Sequence, residues 1–176
     1  AQAGMYLDVT VQDRTLNPIP VDDAARSRVE GSLIRHGWSP GQTLVGVNVN
    51  AGDMSLERRW PVAAFVQLIE SLLTRHDGMR VVLTGSGDES AYVSSVAAGV
   101  REGVRERVIM TAGEWSMDEF LASFERMACY LTNDSGPMHI AAAQGAPLVS
   151  LWGPGRPDFY APQVPRHEVV YEQFPC

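Results

Sequence analysis

The stretch LTNDSGPMHIAAAQGAPLVSLWGP, residues 131–154, gives the strongest indication of this chain's fold. Two apolar runs with the composition of buried strands flank an Ala-rich segment with the composition of a helix, and Gly145 marks the end of that helix. Asp134 and Ser135 are residue types that cap helices, and Pro137 suits the first helical position because it has no N–H to leave unpaired. The stretch therefore predicts a strand–helix–strand unit.

The start of this helix is a candidate anion site. A helix that begins at the carboxyl end of a parallel strand presents unpaired N–H groups and a positive dipole end, so a diphosphate is a natural ligand. Gly136 lets the backbone approach such a ligand, and His139 lies one turn into the helix, on the side that can face it. Capping alone also explains Asp134 and Ser135, and a half-buried structural histidine also explains His139. The residues by themselves leave both interpretations open.

Strands and helices alternate along the rest of the chain. Apolar runs at residues 44–49, 79–84 and 108–110 have the composition of buried strands, and helical patterns and short connections separate them. This alternation predicts an α/β fold, a three-layer Rossmann-like parallel sheet with helices on both faces. The expected helices cover residues 22–37, 61–76, 89–103 and 116–127.

We expect residues 1–20 to be an extended lead-in and linker, with a strand pattern at 6–11, and residues 21–176 to form one domain. The chain contains no apolar run long enough to cross a bilayer and no signal-peptide pattern, so we expect a cytoplasmic protein. Cys129 and Cys176 are too isolated to indicate a disulfide framework or a metal site.

Charge and composition exclude several classes of function. The net charge of −7 argues against general nucleic-acid binding, which needs a basic surface. All 14 basic residues are Arg. The absence of Lys from the sequence excludes a Gly-Lys-Ser/Thr phosphate loop, a Schiff-base lysine and a kinase strand lysine.

The segment GSGDE, residues 85–89, suggests a dinucleotide-binding fingerprint. The third glycine position of that fingerprint is Ser90, and no acidic residue ends the following strand at 108–110, so we reject an NAD site. An acidic residue at the helix start, Glu89, also fits a role toward the helix dipole. Trp115, in the loop after the third strand, is expected to pack rather than to stack on a base.

Residues 131–154 resemble the signature of glycosyltransferase family 9, the ADP-heptose:lipopolysaccharide heptosyltransferase family. Its usual form is Asn-Asp-Ser/Thr-Gly-Pro-x-His, an Ala-rich helix, a Gly-x-Pro strand and Phe/Trp-Gly-Pro. The segment RRWP, residues 58–61, is similar to the family's Lys-Arg/His-Trp-Pro element, and residues 85–89 match its Gly-x-x-x-Glu element. The resemblance covers residues 44–162 and implies the carboxyl-terminal, nucleotide-sugar-binding half of a two-domain GT-B fold.

This resemblance implies a role for each matched residue. Ser135, Gly136 and His139 would face the donor's phosphates. Arg58 would neutralise charge on the leaving diphosphate, and a bidentate guanidinium can replace the family's usual Lys there. The remaining implied roles belong to two acids: Glu89 would hold the ribose diol and Asp134 would lie near the sugar.

The resemblance also implies the reaction and its partners. The donor is expected to be ADP-heptose and the acceptor a lipopolysaccharide core or similar glycan, with no metal and no other cofactor. In the GT-B arrangement the acceptor site and the catalytic base belong to the amino-terminal half, which this sequence does not match. We therefore expect no catalytic residue here and no turnover by the isolated chain, and the full-length protein would be peripheral at the inner membrane.

Two departures from the family pattern bear on the site. Acidic Asp53 stands in the loop expected beside the diphosphate, and Gly155 and Arg156 replace the usual Thr-Asp after Gly-Pro. Two alternatives remain open from sequence. One is a non-catalytic nucleotide-binding or scaffold module, and the other is the donor half of a different GT-B enzyme, such as a sugar-nucleotide epimerase.

Overall fold

The structure is a computed structural model that describes residues 16–52 and 56–172. The strand pattern expected at residues 6–11, the acidic Asp53 and the terminal Cys176 lie outside these residues. The described strands are β1 (Thr43–Asn48), β2 (Met79–Thr84), β3 (Val108–Met110), β4 (Cys129–Asn133), β5 (Leu148–Trp152) and β6 (His167–Tyr171). The described helices are α1 (Asp23–Arg35), α2 (Val62–Arg75), α3 (Ser90–Gly99), α4 (Glu102–Arg105), α5 (Met117–Ser123), α6 (Gly136–Ala143) and α7 (Pro157–Tyr160), with 3-10 turns at Leu56–Arg58 and Phe124–Arg126.

The strands form one six-stranded sheet in the order β3-β2-β1-β4-β5-β6, and every neighbouring pair is parallel. From β1 the chain builds outward to β3, then crosses back and continues from β4 on the other side of β1. This reversal lies between β1 and β4, and in such sheets it opens a crevice at the carboxyl ends of the two strands. The expected Rossmann-like parallel sheet is confirmed.

Each face of the sheet carries its own layer of helices. Successive strand residues point to opposite faces, so Leu44 packs in one core and Val45 in the other. The first core joins the sheet to α1, α5 and α6 through residues such as Leu33 and Met138, and the second joins it to α2 and α3 through residues such as Phe65. Helices therefore cover both faces, as the apolar strands predicted.

Helix α1 is attached to the α5 region by charge as well as by apolar packing. Arg28 Nε lies 2.8 Å from Glu119 Oε1, and Arg26 Nε lies 2.9 Å from Glu125 Oε2. Glu119 also completes the expected capping box, because its carboxylate accepts from Ser116 N at 2.7 Å while Ser116 Oγ accepts from Glu119 N at 3.3 Å. Salt bridges on a surface contribute little individually, but together they fix where α1 sits.

The single helix expected over residues 89–103 is wrong, because the structure divides it into α3 and α4. Val100 adopts an extended conformation, with φ −69° and ψ 133°, and its side chain is fully buried. The N–H of Arg101 then donates to Glu70 Oε1 at 2.8 Å on helix α2. Burial of one valine and a tertiary hydrogen bond outweigh the helical pattern of the local sequence.

Gly46, inside β1, tests how tightly the first core is packed. A Cβ at this position would lie 2.6 Å from Tyr130 Cδ2 and would also collide with Met127 Sδ. We predict that Gly46→Ala lowers the free energy of unfolding by about 1–3 kcal/mol, the usual cost of overpacking a core. Urea unfolding monitored by circular dichroism would measure this change.

Gly78→Ala is the matched control, since an added Cβ at Gly78 meets no atom within 4 Å and its backbone does not have positive φ. Its unfolding midpoint should stay close to that of the unaltered protein. Equal midpoints for the Gly46 and Gly78 variants would contradict the packing described here.

Candidate functional site

Three loops meet at the carboxyl edge of the sheet, after β1, β4 and β5. A Cβ on Gly155 would lie 2.6 Å from Asp134 Oδ2, and a Cβ on Gly153 would lie 3.0 Å from the carbonyl oxygen of Glu57. Glycine therefore lets the loop after β5 approach both the turn at Leu56–Arg58 and the residue after β4. The loops form one surface over the crevice between β1 and β4.

A buried network of polar side chains joins the ends of β1 and β4. Asn48 Nδ2 lies 3.0 Å from Thr132 Oγ1, 3.0 Å from Ser135 Oγ and 3.1 Å from the carbonyl oxygen of Asn50. Asn48 Oδ1 accepts from Asn50 N at 3.2 Å. An amide nitrogen carries two hydrogens, so it can serve two of these three acceptors at once, and the two hydroxyls, 3.1 Å apart, can bond each other.

A second buried amide, Asn133, extends this network to the segment that carries Arg58. Asn133 Oδ1 accepts from the Trp60 N–H at 3.0 Å, and its Nδ2 donates to the carbonyl oxygen of Asn50 at 3.1 Å. Asn133 is completely buried. The end of β4 thus fixes the loop after β1 at two points on either side of the 3-10 turn.

The start of α6 differs from the expected capping arrangement. Ser135 occupies the N-cap position, but neither its side chain nor that of Asp134 caps the helix, and Pro137 is the second helical residue rather than the first. The Ser135 hydroxyl is instead bonded to Asn48, Thr132 and the carbonyl oxygen of Asn133. Among the residues that the structure describes, none accepts a hydrogen bond from the Gly136 N–H. An anion could therefore take that position.

Two charged side chains lie beside this helix start. Arg58 Nε is 3.6 Å from Asp134 Oδ2, and the side chains are 41% and 9% exposed, respectively. The Arg58 guanidinium is thus held at the edge of the site and remains accessible from solvent. His139 is exposed on α6 and makes no hydrogen bond with its side chain to any described residue.

A cavity of about 350 Å³ continues from the helix start toward β2 and β3. Glu89, the N-cap residue of α3, borders it, and its Oε2 accepts from Ser86 N at 2.9 Å. Aromatic and aliphatic side chains form much of the remaining wall. The lining consists of Asn48, Thr84, Gly85, Ser86, Glu89, Thr111, Trp115, Ser116, Met117, Phe120, Gly136, Pro137 and Ile140.

One residue that lines the cavity, Thr84, forms a buried hydrogen bond between two hydroxyl groups. Thr84 Oγ1 lies 2.7 Å from the hydroxyl of Tyr130, whose side chain is completely buried in the first core. Burial raises the pKa of the Tyr130 phenol above its usual range, so this hydroxyl stays protonated at neutral pH. The hydroxyl of Thr84, at the end of β2, therefore has a buried hydrogen-bond partner.

The structure brings five of the expected residues to one short arc of the sheet edge: Arg58, Asp134, Ser135, Gly136 and His139. Glu89 lies on the same cavity but across it, toward β2. Sequence reasoning missed the positioning amides Asn48 and Asn133. The signal available was a pair of polar residues at the ends of otherwise apolar strands.

Trp115 was expected to pack rather than to stack on a base, and the packing is confirmed. It contacts the first core and also lines the cavity.

Within residues 16–52 and 56–172, no group of three His, Cys, Asp or Glu side chains is arranged to hold a metal ion. No helix in that same part of the chain has the length and apolar character needed to cross a membrane.

The Asn133 amide offers a direct test of this architecture. Replacement by Ala leaves the Trp60 N–H without its partner and removes one of the two donors to the carbonyl oxygen of Asn50, which keeps its bond from Asn48 Nδ2. We predict a loss of about 1–3 kcal/mol in the free energy of unfolding for the unsatisfied Trp60 N–H, and faster hydrogen exchange at that amide. Asn17→Ala, at an exposed position, is the control and should change neither quantity. Unchanged exchange at Trp60 in the Asn133 variant would contradict the assigned bond.

Comparison with known proteins agrees with the resemblance seen in the sequence. A family model described as glycosyltransferase family 9 (heptosyltransferase) matches residues 41–176. Lipooligosaccharide heptosyltransferase 2 of Haemophilus influenzae is 34% identical over 105 residues, which amount to 60% of this chain and 30% of that relative. The matched part of this chain thus covers less than a third of the length of that curated relative.

Solved structures agree in fold. A family 9 glycosyltransferase from Veillonella parvula superposes with a TM-score of 0.82 at 27% identity, over 96% of this chain and 46% of its own. The E. coli ADP-heptose lipopolysaccharide heptosyltransferase II superposes with a TM-score of 0.75 at 27% identity, over 87% of this chain and 44% of its own. The expected GT-B type of fold is confirmed. Since the family model covers most of the sequence, this chain belongs to glycosyltransferase family 9.

Proposed function

We propose that this chain is the donor-binding domain of a glycosyltransferase that transfers heptose from ADP-heptose to a lipopolysaccharide core or a similar glycan. The observation that carries the proposal is the continuity between the uncapped start of α6 and the cavity bordered by Glu89. One end offers donors to a diphosphate, and the other offers a carboxylate and an aromatic wall to a nucleoside. The similarity of this chain to heptosyltransferases, among them the E. coli ADP-heptose enzyme, supports ADP-heptose as its donor.

The diphosphate would lie at the start of α6. The Gly136 N–H and the helix dipole favour an anion there, and Ser135 and exposed His139 border the same position. Arg58 would supply the main positive charge, since its guanidinium is partly exposed and already held at the site. Donors fixed in this way would stabilise the negative charge that develops on the departing diphosphate.

The nucleoside would occupy the cavity. Glu89 uses Oε2 to accept from Ser86 N, while its Oε1 makes no hydrogen bond to any described residue and could accept from a ribose diol. Trp115, Phe120 and Ile140 supply the apolar wall that a planar base requires. A volume of about 350 Å³ is at the lower end of the range for small-molecule sites, which suits a nucleoside.

The general base that deprotonates the acceptor hydroxyl would come from outside this site. Asp134, beside the expected sugar position, is ion-paired with Arg58, and Glu89 is bonded to a backbone amide. A general base must reach the acceptor hydroxyl, but Asp134 is paired with Arg58 and the remaining oxygen of Glu89 would hold the ribose diol. A water-soluble donor and a lipid-anchored glycan meet at a membrane surface, so we place the complete enzyme on the cytoplasmic face, peripheral to the inner membrane.

Calorimetry with ADP, UDP and GDP tests the proposal. We predict that ADP binds most tightly, and that His139→Ala and Arg58→Ala each weaken ADP about ten- to a hundredfold, because a charge-assisted hydrogen bond contributes about 1.5–3 kcal/mol. His76→Ala and Arg75→Ala remove exposed side chains of the same types at the far end of α2 and should leave affinity unchanged. A preference for UDP would instead favour the donor half of another GT-B enzyme, and undiminished affinity in both site variants would contradict the phosphate assignment.

A further inference from the structure

We propose that helix α1 is part of the donor site, because Ser32 holds the Trp115 indole in the position where it forms a wall for the nucleobase. The inference rests on the proposed function and extends it to a contact residue, Trp115, and a positioning residue, Ser32. Ser32 precedes the part of the chain that the family model matches, residues 41–176. Ser32 thus lies outside the residues on which the family assignment rests.

The Ser32 hydroxyl bridges the side chains of Trp115 and Glu114. Trp115 Nε1 donates to Ser32 Oγ at 3.0 Å, and Ser32 Oγ donates to Glu114 Oε1 at 2.5 Å. Ser32 is 2% exposed. A hydroxyl has one hydrogen to donate, and because an ionised carboxylate can only accept, that hydrogen is directed to Glu114 and a lone pair is left for the indole.

Glu114 is fixed in its turn by the end of α1 and the residue that follows it. His36 Nε2 lies 2.7 Å from Glu114 Oε2, and Arg35 Nη2 lies 3.3 Å from Oε1. Burial by itself would raise the pKa of the Glu114 carboxyl, but the hydrogen bonds from Ser32, His36 and Arg35 outweigh burial and hold its pKa below the usual range. Glu114 is therefore an acceptor at neutral pH, and the direction of the Ser32 bond is set.

The loop that carries Trp115 is held at its other end as well. The N–H of Gly113 donates to the carbonyl oxygen of Gly85 at 3.0 Å, and Gly113 has a φ of +78° that suits glycine. Helix α1 is itself joined to the α5 region by the ion pairs of Arg26 and Arg28. The indole is thus preorganised from both sides, and a preorganised wall loses less entropy when a base binds.

The chemistry of this wall selects a planar heteroaromatic ring. An indole with its one N–H already bonded to Ser32 presents only carbon surface to the cavity, where it contacts a base by dispersion and stacking. A purine offers the larger stacking area, which agrees with an adenine nucleotide as ligand. The site would therefore distinguish ADP from pyrophosphate through Trp115.

The test compares ADP with pyrophosphate, measured by calorimetry and by competition against ADP. Trp115→Ala should weaken ADP about five- to a hundredfold, the range seen when a base-stacking aromatic ring is removed, and leave pyrophosphate unchanged. Ser32→Ala should weaken ADP about two- to tenfold, also without affecting pyrophosphate. Ser27→Ala, an exposed serine on the same helix, is the control and should match the unaltered protein.

Trp115→Phe separates positioning from a general structural role. Phenylalanine keeps an aromatic wall but has no N–H for Ser32 to hold, so Ser32→Ala should cost no further ADP affinity in the Trp115→Phe background. If Ser32→Ala weakens ADP equally in both backgrounds, or weakens pyrophosphate as much as ADP, the positioning role is wrong. If the unaltered protein binds neither ligand, the proposed function itself fails.

The indole N–H signal in an NMR spectrum gives a readout independent of affinity. Its resonance is assigned by its loss in Trp115→Phe, and it should exchange slowly with solvent while Ser32 is present. We expect ADP but not pyrophosphate to shift it. An indole signal that does not respond to saturating ADP would overturn the assignment of Trp115 to the base site.

Discussion

Two buried amides, Asn48 and Asn133, join the ends of β1 and β4, and the candidate site depends on the hydrogen bonds that they make. The strand order reverses between these two strands, so their ends diverge into loops that run to opposite sides of the sheet. Backbone groups at such a point have no ladder partner and would be costly to bury unpaired. The amides supply those partners, and in doing so they set the positions of the loop with Arg58 and of the start of α6.

The same network shapes the start of α6, where we propose that an anion binds. In an ordinary N-cap the Ser135 hydroxyl would accept from an N–H of the first turn. Here that hydroxyl is drawn into contacts with Asn48 and Thr132 instead. Separately, no residue within the described ranges accepts from the N–H of Gly136, the first helical residue. Arg58 lies beside the same helix start, where it is paired with Asp134. A diphosphate that binds there would compete with Asp134 for the guanidinium, so binding of the donor would exchange one charged partner of Arg58 for another.

The sequence predicted the fold well because its signals are local and repeated. Apolar runs of strand length alternate with helical patterns, and even the three-residue strand Val108–Met110 was identified. The motif at residues 131–154 pointed to the family, and Arg58 and Asp134 do lie together. The failures have a common physical cause, which is tertiary contact. Just after the break at Val100, the Arg101 N–H donates to Glu70, which lies 31 residues earlier in the chain.

The site was less predictable for the same reason. The partners of the Asn48 amide, Thr132 and Ser135, are 84 and 87 residues away in sequence, and no spacing rule connects them. Asp134 and Ser135 were correctly placed at the helix start, but their side chains contact Arg58 and Asn48, both distant in sequence, and do not cap the helix. The bond between Ser32 and Trp115 likewise spans 83 residues. Local chemistry was enough to predict the proposed phosphate end of the site, while the proposed nucleoside wall could be recognised only in the assembled structure.

The structure of the protein with ADP bound would test the central claim most directly. The account predicts diphosphate oxygens within hydrogen-bonding distance of the Gly136 N–H and of Arg58, and the adenine against Trp115 in the cavity. A diphosphate bound instead at the turn of Gly85, Ser86 and Gly87, with the start of α6 occupied only by water, would contradict it.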